Sequence, residues 1–425
     1  MNNNEIYVSL DIGTSNVRII IGEMASGNLN IIGVGNTSST GIKKGAIVDI
    51  DETVHSIKRA VEQAERMVGL SINQVIVGVN GNHIQLQPCH GVVGVVSDDR
   101  EIGDNDIARV IDASQVLSIP PEREIIDVIP RQFILDGLDE ITDPRGMIGV
   151  RLEMEGTIIT GSSTVLQNLY RCIEKAGLEI ADICFQPLAT GSVAISKDEK
   201  NLGVGLIDIG GGSITISIFD QGTLHSTTVI PVGGDHITND IAVGLRTSTD
   251  EAERIKKKHG HAYLDEASED DIFKVTVIGS NTQDEYSQFE LAHIIEPRME
   301  EMFDLVNQEI RRLGYRELAG GFVLTGGTVM MPGVLELARE ILKNNVRVAT
   351  PDYIGVRESQ YTTSIGLIQF AYRNVKIVGK EVAASVSSIE QEEKTGKKKE
   401  KPVQKSNGDN GVKKKVKNLF KVFFE

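Results

Sequence analysis

The chain has 425 residues, 40% hydrophobic and 24% charged, a globular balance that excludes a mostly disordered protein. The formal net charge is −16. Residues 376–425 hold 13 Lys and 7 Asp or Glu, a local charge of +6, so residues 1–375 carry −22. An acidic body argues against nucleic-acid binding by the folded part, whereas a short basic end suits an anionic surface.

The cysteines and the N-terminal sequence indicate the compartment. Cys89, Cys172 and Cys184 have spacings that fit neither a disulfide framework nor a zinc site. The N-terminal residues lack the pattern of a secretory signal, and no apolar run reaches about 18 residues. We therefore expect a protein of a reducing, cytosolic compartment without a membrane span.

The first predicted element is a β-hairpin at residues 6–22, in which two β-rich runs flank a small polar turn. Residues 204–219 repeat this pattern, again with Asp-Ile-Gly at the turn. The aspartates, Asp11 and Asp208, are 197 positions apart, a period far too long for a solenoid. The repeat predicts an internal duplication, with two related lobes that face one another.

Periodicity and turn residues predict the other elements. In the first half these are a helix at 51–68 with Asp51 as its N-cap, a strand at Val75–Val79, an inserted block at 84–162 with strand-like runs at Gly91–Val96 and Gly146–Leu152 around a helix at Asn105–Val116, a helix from Ser163 to Gly177, and a strand at Ile180–Phe185. In the second half they are a strand at Thr227–Val232, an inserted region at 236–300 with one short strand at Lys274–Ile278, a helix at Ile294–Arg312, a glycine turn at Gly321–Gly327 and a helix at Val334–Leu342.

The C-terminal part divides into a linker and a basic segment. Residues 381–410 contain almost no large apolar side chain, which predicts a flexible linker. In residues 411–425 the apolar positions follow a helical period and lysines fill the others, as at Val412, Val416, Leu419, Phe420 and Phe423 against Lys413, Lys417 and Lys421. This composition favours an amphipathic helix on an anionic membrane, too short to span it. The alternatives are a solvated tail or a helix that docks on the folded body.

The glycine turns are candidate phosphate-binding sites. Gly13 and Gly210–Gly212 allow a close backbone approach, so that consecutive amides can converge on phosphate oxygens. An aspartate at the end of the preceding strand would hold Mg²⁺, commonly through water. One such turn is explained by turn chemistry alone. Two turns with the same aspartate offset, and a third at Gly326–Gly327, favour phosphate binding.

Together these motifs resemble those of the actin, hsp70 and sugar-kinase superfamily over residues 5–375. The resemblance is carried by the segments Asp11–Val17, Gln186–Gly191, Asp208–Ser213, Leu324–Gly327 and Thr363–Leu367. Within the superfamily, the chain is most similar to the bacterial cell-division family FtsA, on the evidence of Val323–Gly327, Ile295–Arg298 and the inserted block at 84–162.

The resemblance implies an α/β, actin-like two-lobed ATPase fold of duplicated ribonuclease-H-like lobes, with an FtsA-type 1C insertion and a disordered C-terminal tail that ends in an amphipathic helix. The implied subdomains are 1A at 1–83 and 163–195, 1C at 84–162, 2A at 196–229 and 301–380, and 2B at 230–300, followed by the linker at 381–410 and the membrane-targeting helix at 411–425.

The resemblance also implies the roles of single residues around ATP and Mg²⁺. It places Gly13, Thr14, Ser15, Gly210, Gly211 and Gly212 at the β and γ phosphates, Gly234 and Asp235 near the ribose or phosphates, Glu253 and Lys256 at the nucleoside, and Gly326, Gly327 and Met330 under the adenine and α phosphate. Asp11 and Asp208 would place the magnesium. Gln186 would orient water rather than accept a proton, which implies at most weak ATP hydrolysis. For Glu253 and Lys256 the alternative is a solvated helical face.

By the same resemblance, the chain would be an ATP-binding cell-division protein that self-associates and anchors FtsZ filaments to the cytoplasmic face of the membrane at the division site. The C-terminal peptide of FtsZ would dock on 230–300, while 84–162 would contribute to subunit contacts and help recruit later division proteins. No nucleic-acid partner is expected.

Three other functions fit the superfamily. A small-molecule kinase would need a catalytic Asp over a substrate hydroxyl, and we identify no distinct candidate. An hsp70-type chaperone would need a peptide-binding domain after the ATPase unit. An adaptor for pilus assembly similar to PilM matches the fold, but the membrane-type tail argues against it.

Overall fold

A computed structural model of the chain describes residues 5–116, 119–279, 283–378 and 386–388. The predicted membrane-targeting helix at 411–425 lies outside the described residues. The predicted linker at 381–410 does as well, apart from the short strand Val386–Ser388.

The elements before residue 203 are, in chain order, β1 (Glu5–Ile12), β2 (Asn16–Ala25), β3 (Asn28–Ser38), β4 (Ile42–Lys43), β5 (Ala46–Ile47), α1 (Ile50–Val68), β6 (Leu70–Ile72), β7 (Gln74–Val79), β8 (Gln85–Gly94), α2 (Asp104–Ser114), β9 (Arg123–Leu135), β10 (Leu138–Ile141), β11 (Arg151–Ser162), α3 (Ser163–Ala176), β12 (Glu179–Phe185), α4 (Gln186–Ala194) and α5 (Lys197–Leu202).

The elements after residue 203 are β13 (Val204–Ile209), β14 (Ile214–Asp220), β15 (Thr223–Ile230), α6 (Gly234–Gly244), α7 (Thr249–His259), β16 (Ile272–Thr276), β17 (Gln283–Ser287), α8 (Gln288–Arg312), β18 (Phe322–Thr325), α9 (Val334–Leu342), β19 (Val346–Val348), α10 (Thr362–Val378) and β20 (Val386–Ser388), with short 3₁₀ helices at Leu264–Glu266, Thr328–Met330 and Ser359–Tyr361.

Two sheets with the same topology form two lobes. The strand order is β12-β7-β1-β2-β3 in lobe 1 and β19-β18-β13-β14-β15 in lobe 2. In each lobe three successive strands pair antiparallel, and the first of them also pairs in parallel with a later strand. The internal duplication predicted from the two hairpins is therefore visible in the strand order, and the mixed α/β, two-lobed fold is confirmed.

Side chains that alternate along the strands build a core on each face of the lobe 1 sheet. On one face, Val8 and Leu10 of β1 pack with the apolar side of α1 and with α3. On the other face, Tyr7 of β1 and Ile20 of β2 pack with α10. Helices on both faces of a sheet are typical of α/β architecture, and here they fix the ends of β1 and β2.

In lobe 2 the largest cluster lies between the sheet and helices α6, α8 and α9. It joins Ile207 and Ile216 of the sheet to Ile237 of α6, Phe303 of α8 and Leu337 of α9. These side chains are almost fully buried. The cluster therefore holds the strand ends that lead into the glycine turns.

Several predicted boundaries are wrong, each for a local reason. Helix α1 is capped by Asp49, which accepts from the Glu52 amide, and Asp51 lies in its first turn. The helix predicted from Ile294 begins at Gln288, because the Ser287 side chain forms a capping box with Glu290.

Two predicted strands also differ from the structure. Strand β15 begins at Thr223 rather than Thr227, because Gln221 and Gly222, both at positive φ, form a tight turn directly after β14. Where one short strand was predicted at Lys274–Ile278, the structure has the antiparallel pair β16 and β17.

Residues Pro88–Ser118 and Val128–Thr157 belong to a second compact unit, and both ranges lie within the inserted block predicted at 84–162. Its sheet has the strand order β10-β9-β11-β8, and α2 packs closely on β8. A Cβ at Gly91 would lie 2.1 Å from the Val110 carbonyl oxygen, which explains the need for glycine there. The predicted strand-like run at Gly146–Leu152 is mostly loop, and β9, which contains Pro130, was not predicted.

No helix in the described ranges is both long enough and apolar enough to cross a membrane.

Candidate functional site

A cavity of about 830 Å³ lies between the two lobes, where β1 and β13 end. Its lining includes every residue that the sequence predicted at the phosphates, the nucleoside and the magnesium, namely Asp11, Gly13, Thr14, Ser15, Gln186, Asp208, Gly210, Gly211, Gly212, Gly234, Asp235, Glu253, Lys256, Gly326, Gly327 and Met330. The fold therefore brings together residues that are spread over more than 300 positions of the chain.

The two hairpin turns are built alike. The Gly13 amide donates to the Asn16 carbonyl at 2.9 Å, and the Gly210 amide donates to the Ser213 carbonyl at 3.0 Å. In each turn the next two backbone amides donate to no acceptor among the described residues. These are the amides of Thr14 and Ser15 in the first turn and of Gly211 and Gly212 in the second. Unpaired amides in tight turns form an anion-binding cradle, so this pair of turns suits the oxygens of a phosphate chain.

The two turns approach each other so closely that lobe 2 needs glycine. A Cβ on Gly211 would lie 1.7 Å from the Ser15 hydroxyl oxygen, and a Cβ on Gly212 would lie 2.6 Å from the Thr14 hydroxyl oxygen. The Ser15 hydroxyl donates to Asp235 Oδ1 at 2.9 Å. Asp235 is the second residue of α6, and this bond therefore joins the turn after β1 in lobe 1 to a helix of lobe 2.

Asp11 and Asp208 are the acidic groups of the cavity floor. Asp11 accepts from Gln186 Nε2 at 2.9 Å, and its Oδ2 lies 3.8 Å from Arg18 Nη1. Burial raises the pKa of Asp11, and the Arg18 charge opposes that rise. Burial and the charge of Asp11 raise the pKa of Asp208 to about 6. Two carboxylates that are both costly to ionise are a suitable pair for a divalent cation.

The donor set fits Mg²⁺ rather than a metal held by protein side chains alone. Among the residues described, no group of three or more His, Cys, Asp or Glu side chains is arranged to hold a metal ion. Mg²⁺ commonly keeps several waters and takes one or two carboxylates together with phosphate oxygens. Asp11 and Asp208 beside the amide cradle supply that combination.

Helix α7 contributes a cation, Lys256, to the cavity. Lys256 Nζ donates to the Gly234 carbonyl at 2.9 Å and to the Thr238 hydroxyl at 2.6 Å, and it lies 2.6 Å from Glu253 Oε2. Burial alone would raise the pKa of Glu253, but Lys256 holds it below its ordinary value. The Lys256 side chain is only 12% exposed, which disfavours the alternative of a solvated helical face.

The third glycine turn follows β18. Gly326 has φ +101°, and a Cβ there would lie 2.4 Å from the Ile209 carbonyl oxygen and 2.5 Å from Asp208 Oδ1. Glycine thus allows the turn to lie directly against the end of β13. Met330 is 43% exposed and lines the cavity, which leaves an apolar surface for a ring.

Arg18 and Thr328 are among the cavity-lining residues that the sequence did not single out. Arg18 faces Asp11 across the β1–β2 ladder, and its Nη2 donates to Gln360 Oε1 at 3.1 Å. The Thr328 hydroxyl donates to the Gly210 carbonyl at 3.0 Å. The hairpin register could have identified Arg18, because the strand pairing that puts the turn at Gly13 also puts residue 18 opposite residue 11.

The chain matches known families and relatives along most of its length. A family model described as cell division protein FtsA matches residues 205–366, and one described as an SHS2 domain inserted in FTSA matches residues 81–160. The cell division protein FtsA of Bacillus subtilis (strain 168) is 64% identical over 382 residues, which cover 90% of this chain and 87% of that protein. The protein of the same name from Escherichia coli (strain K12) is 33% identical over 404 residues, 90% of this chain and 95% of that one.

Solved structures with a similar fold include a chain of the PilM-PilN type IV pilus biogenesis complex, with a TM-score of 0.59 and 15% identity over 87% of this chain and 98% of that chain. Another is MreB5 of Spiroplasma citri bound to ADP, with a TM-score of 0.54 and 15% identity over 89% of this chain and 99% of that one. At this level of identity the two matches bear on the fold alone.

Proposed function

The chain belongs to the FtsA family of cell division proteins, and from this premise we propose that it binds ATP and Mg²⁺ between its lobes, self-associates, and links FtsZ filaments to the cytoplasmic face of the membrane at the division site. It is thus an actin-like cell division protein. The alternative of a PilM-type adaptor is less well supported, because the pilus complex is 15% identical and the Bacillus FtsA is 64% identical.

Nucleotide binding is supported by two turns with unpaired backbone amides that lie beside two buried carboxylates. The unpaired amides of Thr14, Ser15, Gly211 and Gly212 would donate to the β and γ phosphate oxygens from the two lobes. Asp11 and Asp208 would hold Mg²⁺, which when bound neutralises phosphate charge. Lys256 would add a positive charge at the nucleoside end.

Weak hydrolysis is the catalytic outcome that we infer from Gln186. Its amide nitrogen donates to Asp11, so the carbonyl oxygen Oε1 is the atom left to accept from a water molecule. An amide oxygen can orient water but cannot carry away its proton at neutral pH. We therefore infer that Gln186 positions water, and that turnover is slow.

Membrane and partner binding rest on the sequence and on the family. Residues 411–425 would bind an anionic leaflet as a short amphipathic helix, with each lysine contributing roughly 1 kcal/mol. A single copy would bind weakly, and self-association would strengthen binding by joining many copies. The FtsZ peptide would bind on 230–300, and later division proteins would be recruited through 84–162.

The test is co-sedimentation of the full-length protein with anionic liposomes, with and without ATP and Mg²⁺, beside a truncation that lacks residues 411–425. We expect nucleotide to increase sedimentation with liposomes and the truncation to abolish it. Neutral liposomes serve as the control for charge. If the truncated and full-length proteins sediment alike, the membrane part of the proposal is wrong.

A further inference from the structure

Two helices begin at the carboxylates of the site. Gln186 is the first residue of α4, and its side chain donates to Asp11 Oδ1 at 2.9 Å. Thr363 lies in the first turn of α10, and its hydroxyl oxygen is 3.5 Å from Asp208 Oδ2. Each carboxylate therefore lies at the N-terminal end of a helix, where the helix dipole favours negative charge.

The same two helices cross with almost no space between their backbones. A Cβ at Gly366 of α10 would lie 2.2 Å from the Ala189 carbonyl oxygen of α4. Near this crossing, the hydroxyl oxygens of Thr190 and Thr363 are 2.9 Å apart, and the two residues are 2% and 7% exposed. A small shift at one helix start is therefore transmitted directly to the other helix.

A row of hydrogen bonds leads from Asp208 through this crossing to Gln186, whose side chain contacts Asp11. Thr190 Oγ1 lies 2.8 Å from the backbone carbonyl oxygen of Gln186, in addition to its contact with Thr363. The hydrogen bonds thus run from Asp208 through Thr363 and Thr190 to the Gln186 backbone, and the side chain of the same residue donates to Asp11. Its members come from both lobes and from both helices.

The hydroxyl groups of Thr190 and Thr363 can form their hydrogen bonds in two arrangements. Each hydroxyl donates one hydrogen bond at a time. In the first arrangement Thr190 donates to the Gln186 carbonyl and Thr363 donates to Thr190. In the second, Thr363 donates to Asp208, Thr190 donates to Thr363, and the Gln186 backbone carbonyl loses its hydroxyl donor. The two differ only by rotation of the two O–H bonds, and each proton stays on its own oxygen.

We propose that Thr190 and Thr363 are positioning residues that form a hydroxyl switch, which couples a cation at Asp208 to the packing of α4 on α10. An uncompensated Asp208 charge draws the Thr363 proton and selects the second arrangement. A cation at Asp208 satisfies that charge, releases Thr363 to Thr190, and restores the bond to the Gln186 carbonyl. The proposal rests on the proposed binding of ATP and Mg²⁺.

The experiment compares ATP affinity in EDTA with affinity in Mg²⁺ by isothermal titration of the full-length protein. A cation at Asp208 breaks the hydrogen bond from Thr363 to Asp208. In wild type Thr363 then donates to Thr190, but in Thr190→Val it has no such acceptor. The advantage that Mg²⁺ gives to ATP binding should therefore fall about fivefold, the size expected for one hydrogen bond. In Thr363→Val the cation displaces no hydroxyl, so the advantage should stay equal or rise. Thr190→Ser keeps the hydroxyl and should restore the wild-type ratio.

Thr53→Val is the matched control, because Thr53 is a fully buried threonine at the start of α1 whose hydroxyl donates to the Asp49 carbonyl at 2.6 Å. It should leave the Mg²⁺ ratio unchanged. The switch is refuted if the ratio of ATP affinity in Mg²⁺ to that in EDTA is the same in wild type, Thr190→Val and Thr53→Val. It is also refuted if this ratio falls in both Thr190→Val and Thr363→Val. If Thr190→Val does not fold, a fall in Thr363→Val alone refutes the proposal. A wild-type protein that binds no ATP in either condition refutes the proposed function itself.

Discussion

Replacing Asp208 by asparagine should stabilise the protein when no divalent cation is present. Burial and the charge of Asp11 raise the pKa of Asp208 from 3.8 to about 6. A carboxyl with a raised pKa binds its proton more tightly in the folded state than in the unfolded state. Its contribution to stability is therefore full below about pH 4 and is lost as the pH rises through about 6.

The loss follows from the change in pKa. At about 1.4 kcal/mol for each pKa unit, a rise from 3.8 to about 6 corresponds to roughly 3 kcal/mol at neutral pH. About 2 kcal/mol of this loss should fall between pH 4.5 and pH 8. Asparagine has a similar shape and no charge, so Asp208→Asn avoids the loss. For a chain of this size the thermal midpoint should rise by about 3–6 °C at pH 7.5.

The assay is thermal unfolding in EDTA from pH 4.5 to pH 8, followed by circular dichroism, and then again with Mg²⁺ and ATP. Asp208→Asn should flatten the pH dependence in EDTA and lose the stabilisation by Mg²⁺ and ATP. Asp139→Asn, at an exposed aspartate of β10, removes the same charge and serves as the control. The reasoning is refuted if Asp208→Asn and wild type lose stability in parallel as the pH rises.

Three further predictions concern the site and its support. Gly211→Ala should lower ATP affinity at least about tenfold by titration calorimetry, because its Cβ would lie 1.7 Å from the hydroxyl of the opposite turn. Lys256→Ala should lower ATP affinity about tenfold, whereas Lys258→Ala, at an exposed position of the same helix outside the cavity, should change it less than about twofold. Arg347 forms hydrogen bonds that lower the pKa of Glu199 to about 2, so Arg347→Ala should cost about 1–2 kcal/mol in urea unfolding above pH 4.5, a difference that shrinks as the pH falls toward 2.

Each of these has a matched comparison. Gly103→Ala places a Cβ where no atom lies within 4 Å, and it should leave ATP affinity unchanged. Equal affinities in the Gly211 and Gly103 variants would contradict the close contact between the turns. If the two lysine variants lose equal ATP affinity, then overall positive charge, and not the buried position of Lys256, sets the affinity. An Arg347 effect that is constant with pH would argue against the ion pair.

The sequence was sufficient for the repeated hairpins, because alternating strands and the Asp-Ile-Gly turn are local signals. It also grouped the predicted site residues, which line one cavity, because the family resemblance orders them around a phosphate chain, but it did not single out Arg18 or Thr328. Strand β9 was missed because Pro130 within a β-rich run argues against a strand. The cap of α1 was misplaced by two residues because Asp49 and Asp51 are both good caps and only the backbone geometry decides between them.

The hydroxyl chain could not have been found from the sequence. Thr190 and Thr363 are 173 positions apart, and their contact depends on how closely two helices cross. That distance is set by the absence of a side chain at residue 366 and by the carbonyl of Ala189 opposite it. Neither feature has a period or a motif that a reading of the residues alone would reveal.

The close crossing of α4 and α10 also limits how these two helices can move relative to each other. Where backbone meets backbone without an intervening side chain, sliding along the helix axes drives a carbonyl into the opposite chain, whereas turning about the point of contact does not. The crossing therefore leaves rotation as the soft motion between the two helices. Ala189 of α4 packs with the lobe 1 cluster and Ala194 with a lobe 2 cluster, so a turn of α4 on α10 changes the packing in both lobes.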